Sequence, residues 1–224
     1  MNLRTLGDRA ATVTFGSDIS PECNARVTAF CNMLKTAALP GVLEWVPTYA
    51  AVTIHYDPEI LPFDVLQGKL EVLTPEQAAQ TDGELLVLPV CYGGEYGPDL
   101  AAVAAHCGLT ETEVVAIHSG GEYPVYMLGF MPGFPYLGGM DPRIAAPRLK
   151  TPRTAIPAGS VGIAGKQTGV YPLSSPGGWQ LIGRTPLRLF DIRRTPQTLL
   201  SAGMRVRFRP IPPEEFQKLE AFHD

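Results

Sequence analysis

Apolar and polar positions alternate over Ala11, Val13 and Phe15 against Thr12 and Thr14, with a Gly7-Asp8 turn before them, which predicts a hairpin over residues 3–15. Ser20-Pro21-Glu22 then supplies an N-cap, a first-turn proline and an acid at the positive end of a helix dipole. Val27, Phe30, Cys31, Leu34 and Ala38 follow at helical spacing, and Pro40-Gly41 stops the run. Val42–Val46 and Ala51–Tyr56 read as strands. Pro62 opens a helix that turns Phe63, Leu66, Leu70 and Leu73 inward. The order β-β-α-β-β-α predicts a small N-terminal α/β domain over 1–80, and the polar stretch Thr74–Gly83 reads as a linker.

Beyond it the pattern changes. An apolar strand is predicted over Leu85–Val90 and a helix over Pro98–Cys107, ended by Gly108. A second helix starts at the capping box Thr110-Glu111-Thr112-Glu113 and runs to about His118. Strands are predicted over Tyr123–Phe130, Ser160–Ala164, Gly169–Tyr171, Trp179–Ile182, Leu187–Phe190 and Met204–Arg209. Many short strands separated by Gly/Pro turns predict a closed or nearly closed barrel over 84–210. Pro212-Pro213-Glu214 opens a final helix within 211–224, carrying Phe216, Leu219 and Phe222. The fold class is therefore α+β.

Composition singles out residues 129–188. These 60 residues hold 11 Gly and 9 Pro, about a third, against an average near 12%. Phe130, Phe134, Tyr136, Tyr171 and Trp179 are threaded through the run, as they are not in disordered segments. It also carries seven cations (Arg143, Arg148, Lys150, Arg153, Lys166, Arg184, Arg188) and one anion, Asp141. It nets +6, so the remainder nets −10 to give the chain's −4. The overall acidity argues against nucleic acid as the main partner. Cys23, Cys31, Cys91 and Cys107 form no C-x-x-C pair and read as reduced thiols of a cytoplasmic protein. MNLRTLGDRAATV lacks the apolar core of a signal peptide, and no apolar run reaches 18 residues, so no membrane association is expected.

Gly162-Ile163-Ala164-Gly165-Lys166-Gln167-Thr168 approaches a phosphate loop and fails it at both ends, with Ser160 and Gln167 where Gly and Ser or Thr are required. The histidines have no metal-ligand spacing, no nucleophile elbow is present, and one acid in the run argues against paired-carboxylate chemistry. What remains is an acid-poor anion site. Arg148 and Arg153 have the fork geometry for a carboxylate or phosphate, Phe134, Tyr171 and Trp179 suit apolar walls, and Gln167 suits an amide. The equally weighted alternative places the arginines on a solvated face and the aromatics in the barrel core. His118, before Gly120-Gly121, either aims at the run as a catalytic group beside Arg153 or sits at its helix end for the dipole alone.

The strings GFMPGFPYLG (129–138), Pro152-Arg153, PAGSVGI (157–163), QTGVYP (167–172), PGGW (176–179) and GRTP (183–186) together resemble one family. So do GEYGPDL (94–100), His106–Thr110 and HYDP (55–58). It comprises the B subunit of prokaryotic ATP-dependent 5-oxoprolinase, also described as allophanate hydrolase subunit 1 or as a sporulation-kinase inhibitor, of carboxyltransferase subdomain C/D type. The resemblance implies a cyclophilin-like β-barrel as the second domain. It implies the 5-oxoprolinase C and A subunits as partners, a small anionic substrate, and ATP bound by the assembled complex. Its activity would be the opening of 5-oxoproline to L-glutamate with ATP hydrolysis. Kinase regulation and urea or allophanate metabolism are the alternatives within the same family. The resemblance does not fix catalytic residues.

Overall fold

The computed structural model describes residues 2–17, 20–73 and 83–221, and the chain divides into two units, Met1–Thr81 and Asp82–Asp224. Apart from Gly83, the expected linker Thr74–Gly83 lies outside the described residues, as does Phe222.

In the first unit, β1 (Asn2–Thr5), β2 (Ala10–Thr14), β3 (Val42–Pro47) and β4 (Ala51–Tyr56) form an antiparallel sheet of order β1-β2-β4-β3. Helix α1 (Pro21–Ala37) begins where Ser20 accepts the Cys23 N–H, and α2 (Phe63–Val72) begins after Pro62. Alternation places Val13, Val52, Ile54 and Tyr56 on one face, where Phe30, Leu34, Leu66 and Leu70 bury with them.

The second unit is built on β5 (Leu85–Tyr92), β6 (Tyr123–Leu128), β7 (Pro135–Leu137), β8 (Arg153–Ile156), β9 (Ser160–Ala164), β10 (Gln167–Val170), β11 (Ser175–Gly177), β12 (Gln180–Arg184) and β13 (Arg205–Pro210). Seven of these run β10-β9-β12-β5-β13-β6-β7, and β8 with β11 makes a separate ribbon. The end strands approach each other, because a Cβ on Gly169 of β10 would lie 3.4 Å from the Pro135 carbonyl of β7. The sheet is thus a nearly closed barrel. Its central pair is parallel, β5 against β13 from Leu85↔Arg205 to Val90↔Pro210, a pairing no local pattern announces.

Helices α3 (Leu100–Cys107) and α4 (Glu111–Gly120) cover the barrel, the latter held by the predicted capping box, in which Thr110 and Glu113 bond reciprocally. Among the described residues, no single helix is long and apolar enough to cross a membrane. α3 and α4 qualify jointly by composition but meet at a 93° bend, and Leu100, Val103, Ala104 and Val114 face the core. Helix α5 (Pro213–Ala221) belongs to this unit, with Phe216 packed against Cys91 and Ile211.

The strand expected over Leu187–Phe190 is absent, leaving an isolated bridge between Phe190 and Thr198. The reason lies in Arg194. Its guanidinium donates to the carbonyls of Arg188, Leu189, Pro196 and Gln197, so a side chain supplies what a neighbouring strand would have supplied.

Candidate functional site

Strands β9, β10 and β12 carry two different surfaces. Val161, Ile163, Val170 and Ile182 point into the barrel core. Ala164, Tyr171 and Leu181, from the alternate set or just beyond it, join Phe134, Ile156 and Trp179 in a second cluster on the outer face. Gly169 pairs with Gly162 across the β9–β10 ladder, and the absence of two side chains there makes a floor for rings. A Cβ on Gly169 would stand 3.1 Å from Phe134 and 3.2 Å from Trp179. The β8–β11 ribbon closes the cluster from outside through Ile156, and a Cβ on Gly177 would lie 2.5 Å from the Tyr171 hydroxyl.

All five aromatics of the Gly/Pro-rich run meet here. Phe134 is the hub, edge-on to Phe130, Tyr136, Tyr171 and Trp179 at centroid distances of 5.7, 5.3, 5.5 and 5.7 Å. Phe134, Tyr171 and Trp179 are buried, whereas Phe130 is 72% exposed at a positive φ of 67°. The three rings expected as apolar walls therefore fill their own space. Any ligand would lie over the cluster, not among the rings.

The polar groups converge at one edge of it. Arg153 Nη2 is 2.7 Å from Asp99 Oδ1, and its Nη1 donates to the Trp179 carbonyl at 3.5 Å. Asp99 is buried, and its Oδ2 accepts the Leu181 N–H at 2.7 Å. Burial raises the pKa of the Tyr171 phenol, while Arg148, the Trp179 N–H and Arg153 act in the opposite direction. Arg148 is exposed, and among the described residues it has no hydrogen bond or ion pair. Gln167 starts β10 on the same side as Gly169, paired with Ala164 across the two-residue turn Gly165-Lys166. Near the phosphate-loop candidate, then, the chain forms a β-hairpin and no helix.

His118 lies on the other side of this sheet. It is fully buried, with Tyr92 Oη 2.8 Å from Nδ1, Thr168 Oγ1 2.9 Å from Nε2, and Phe208 stacked at 4.4 Å. Thr168 donates to the Gly162 carbonyl, so its oxygen accepts from Nε2–H and Tyr92 donates to Nδ1. Thr168 and Gly169 point to opposite faces of β10, and the structure does not bring His118 to Arg153. The ring works as a neutral polar link in the core.

Burial pushes the His118 pKa down to about 3. An unfolded histidine titrates near 6.5, so between those values the unfolded chain binds the extra proton and stability falls as pH falls. We expect a loss of up to about 1.4 kcal/mol per pH unit between pH 6.5 and 5, measured by urea melts. His118→Gln should flatten that slope. An unchanged slope would mean that the imidazole is not buried and neutral.

An opening of about 220 Å³ lies beyond Tyr171, between Pro172, Arg184, Thr185, Arg188 and Glu220. Arg184 is held there by Glu220 at 3.3 Å and by the Ala158 carbonyl at 2.9 Å, and its guanidinium lies 5.6 Å from the Phe216 centroid.

A family model described as the carboxyltransferase domain, subdomain C and D, matches residues 1–200. The chain belongs to that family. It is 46% identical over 226 residues to the 5-oxoprolinase B subunit of Bacillus subtilis (strain 168), covering 96% of this chain and 94% of that one. It is 49% identical over 173 residues to the 5-oxoprolinase B subunit of Escherichia coli O157:H7, covering 77% and 79%. The urea amidolyase of Saccharomyces cerevisiae is 26% identical over 96% of this chain, which spans 14% of it. Among solved structures, TTHA0988 superposes with a TM-score of 0.81 at 40% identity over 92% of this chain, which spans 41% of TTHA0988. The urea amidolyase of K. lactis, at 22% identity and a TM-score of 0.76, shares the fold.

Sequence reasoning missed Asp99. It stands 54 residues before Arg153 and outside the cationic run, in the first turn of the helix expected over Pro98–Cys107, where an acid suits the helix dipole and draws no notice. One signal was available: Gly97 two residues earlier, at which a Cβ would collide with the Ile182 carbonyl, shows how tightly this turn lies on β12.

Proposed function

We propose that this chain is a subunit of a 5-oxoprolinase-type complex, which opens 5-oxoproline to L-glutamate while ATP is hydrolysed to ADP and phosphate. The observation that carries the reading is the near full-length similarity to a 5-oxoprolinase B subunit, at 46% identity over 96% of this chain. The edge of the aromatic cluster agrees with it. 5-Oxoproline bears one carboxylate, for which Arg148 and Arg153 are suited, and one lactam, for which Gln167 is suited.

Amide cleavage needs activation. Transfer of the γ-phosphoryl group of ATP to the lactam oxygen makes the ring carbon electrophilic toward water, and nearby cations stabilise the negative charge that develops. We assign ATP to a partner, because Gly162–Thr168 is a strand–turn–strand with no helix N-terminus behind it. The C and A subunits as partners, and a cytoplasmic location, follow from the same reading. Urea or allophanate chemistry is a second reading, favoured by the similarity to the yeast urea amidolyase over 96% of the chain.

The two are separated by substrate. The chain coexpressed with its 5-oxoprolinase partners should elute with them as one complex and release ADP from ATP when 5-oxoproline is added. Turnover of urea or allophanate, with none of 5-oxoproline, would transfer the assignment to the second reading.

A further inference from the structure

Asp99 occupies the N-cap position of α3 yet makes no cap hydrogen bond. A carboxylate there ordinarily serves the first-turn N–H groups. This one directs both oxygens elsewhere, Oδ1 to Arg153 Nη2 and Oδ2 to the Leu181 N–H, each at 2.7 Å. Its own N–H donates to the Leu181 carbonyl at 2.9 Å, so backbone and side chain are both pinned to β12. The carboxylate is therefore a fixed point.

Against that point Arg153 makes a one-armed contact. Asp99 takes one Nη2 proton and the Trp179 carbonyl lies at the long distance of 3.5 Å from Nη1. Among the described residues no acceptor takes the Nε–H. A guanidinium carries five donors in a planar fork, so most of the fork remains for a ligand while its plane is already set. The charges also balance. Asp99 neutralises Arg153, and Arg148 adds one net positive charge beside the same Tyr171 phenol.

We propose that Asp99 is a positioning residue for Arg153, and that the fork it fixes, together with Arg148, holds the carboxylate of a small-molecule ligand. Arg148 supplies net charge and Arg153 supplies direction, with the ordering cost met in the free protein. The proposal rests on the oxoprolinase reading only for the ligand's identity.

The test uses 5-oxoproline and 2-pyrrolidone, the same ring without the carboxylate, titrated into the ¹⁵N-labelled full chain, alone and in complex with its partners. Arginine Nε–H and Trp179 indole signals report binding. 5-Oxoproline should bind at least about tenfold more tightly than 2-pyrrolidone. Asp99→Asn, which keeps an acceptor for the Leu181 N–H, and Arg153→Ala should each weaken 5-oxoproline about tenfold and leave 2-pyrrolidone unchanged. The double variant should be no weaker than Arg153→Ala alone, because Asp99 acts through Arg153. Exposed Arg148→Ala should add its loss independently of Asp99.

Additive losses for Asp99→Asn and Arg153→Ala would overturn the proposal, as would equal binding of the two rings or no shift with 5-oxoproline in either form. Coupled carboxylate binding without turnover in the complex would leave this proposal standing and remove the oxoprolinase assignment. Turnover with additive losses would do the reverse.

Discussion

Phe134→Ala should be the most destabilising single change in the aromatic cluster, lowering the thermal midpoint of the second unit by roughly 10 °C. The ring is 2% exposed and meets four others edge-on. Truncating a buried Phe costs about 3–5 kcal/mol, and 1 kcal/mol shifts a domain of roughly this size by about 2–4 °C. Collapse cannot refill the space easily. The Gly162–Gly169 pair beneath has no side chains to move in, and the β8–β11 ribbon above is held by its own ladder. Phe130→Ala is the control, because that ring is 72% exposed and its loss should shift the midpoint by no more than a degree or two. Equal effects of the two changes, read by calorimetry, would show that the cluster is a surface stack and not a core.

The second large effect concerns Arg153. Arg153→Ala should lower kcat/KM of the assembled complex at least about tenfold, and by up to about 100-fold if loss of the carboxylate contact also misplaces the lactam. It should not leave the fold untouched. Its loss strands the buried Asp99 carboxylate without its counter-charge, which costs about 1–3 kcal/mol. Arg153→Lys separates the two roles. A lysine keeps a cation for Asp99 and loses the planar fork, so stability should recover while turnover stays low. Wild-type turnover in the lysine variant would remove the fork from the mechanism, and unchanged melting of Arg153→Ala would remove the ion pair.

Much of the fold was legible because its signals are local. Ser20 with Pro21, the Thr110–Glu113 box and Gly108 set helix ends within a few residues of themselves, and alternation over Val52, Ile54 and Tyr56 set a buried face. Nothing local marks that β5 lies parallel to β13, far along the chain. Nor does periodicity reveal that Arg194 would satisfy the backbone where a strand was expected.

The site divides in the same way. Arg153 reaches the Trp179 carbonyl, the Tyr171 and Trp179 rings lie 6.3 Å apart, and Arg148 acts on the Tyr171 phenol by its charge alone. Whether the rings were walls or core depended on Gly162 facing Gly169, a register fact. His118 was placed correctly at its helix end, but one strand's alternation puts it on the opposite face from Arg153.

The central claim is that this chain is one indispensable part of a 5-oxoproline-opening assembly. This chain, purified together with the C and A subunits, should convert 5-oxoproline and ATP to glutamate and ADP in equal amounts. This chain alone, or the other two without it, should form neither. Glutamate formation at full rate without this chain, or none from the complete set, would contradict it.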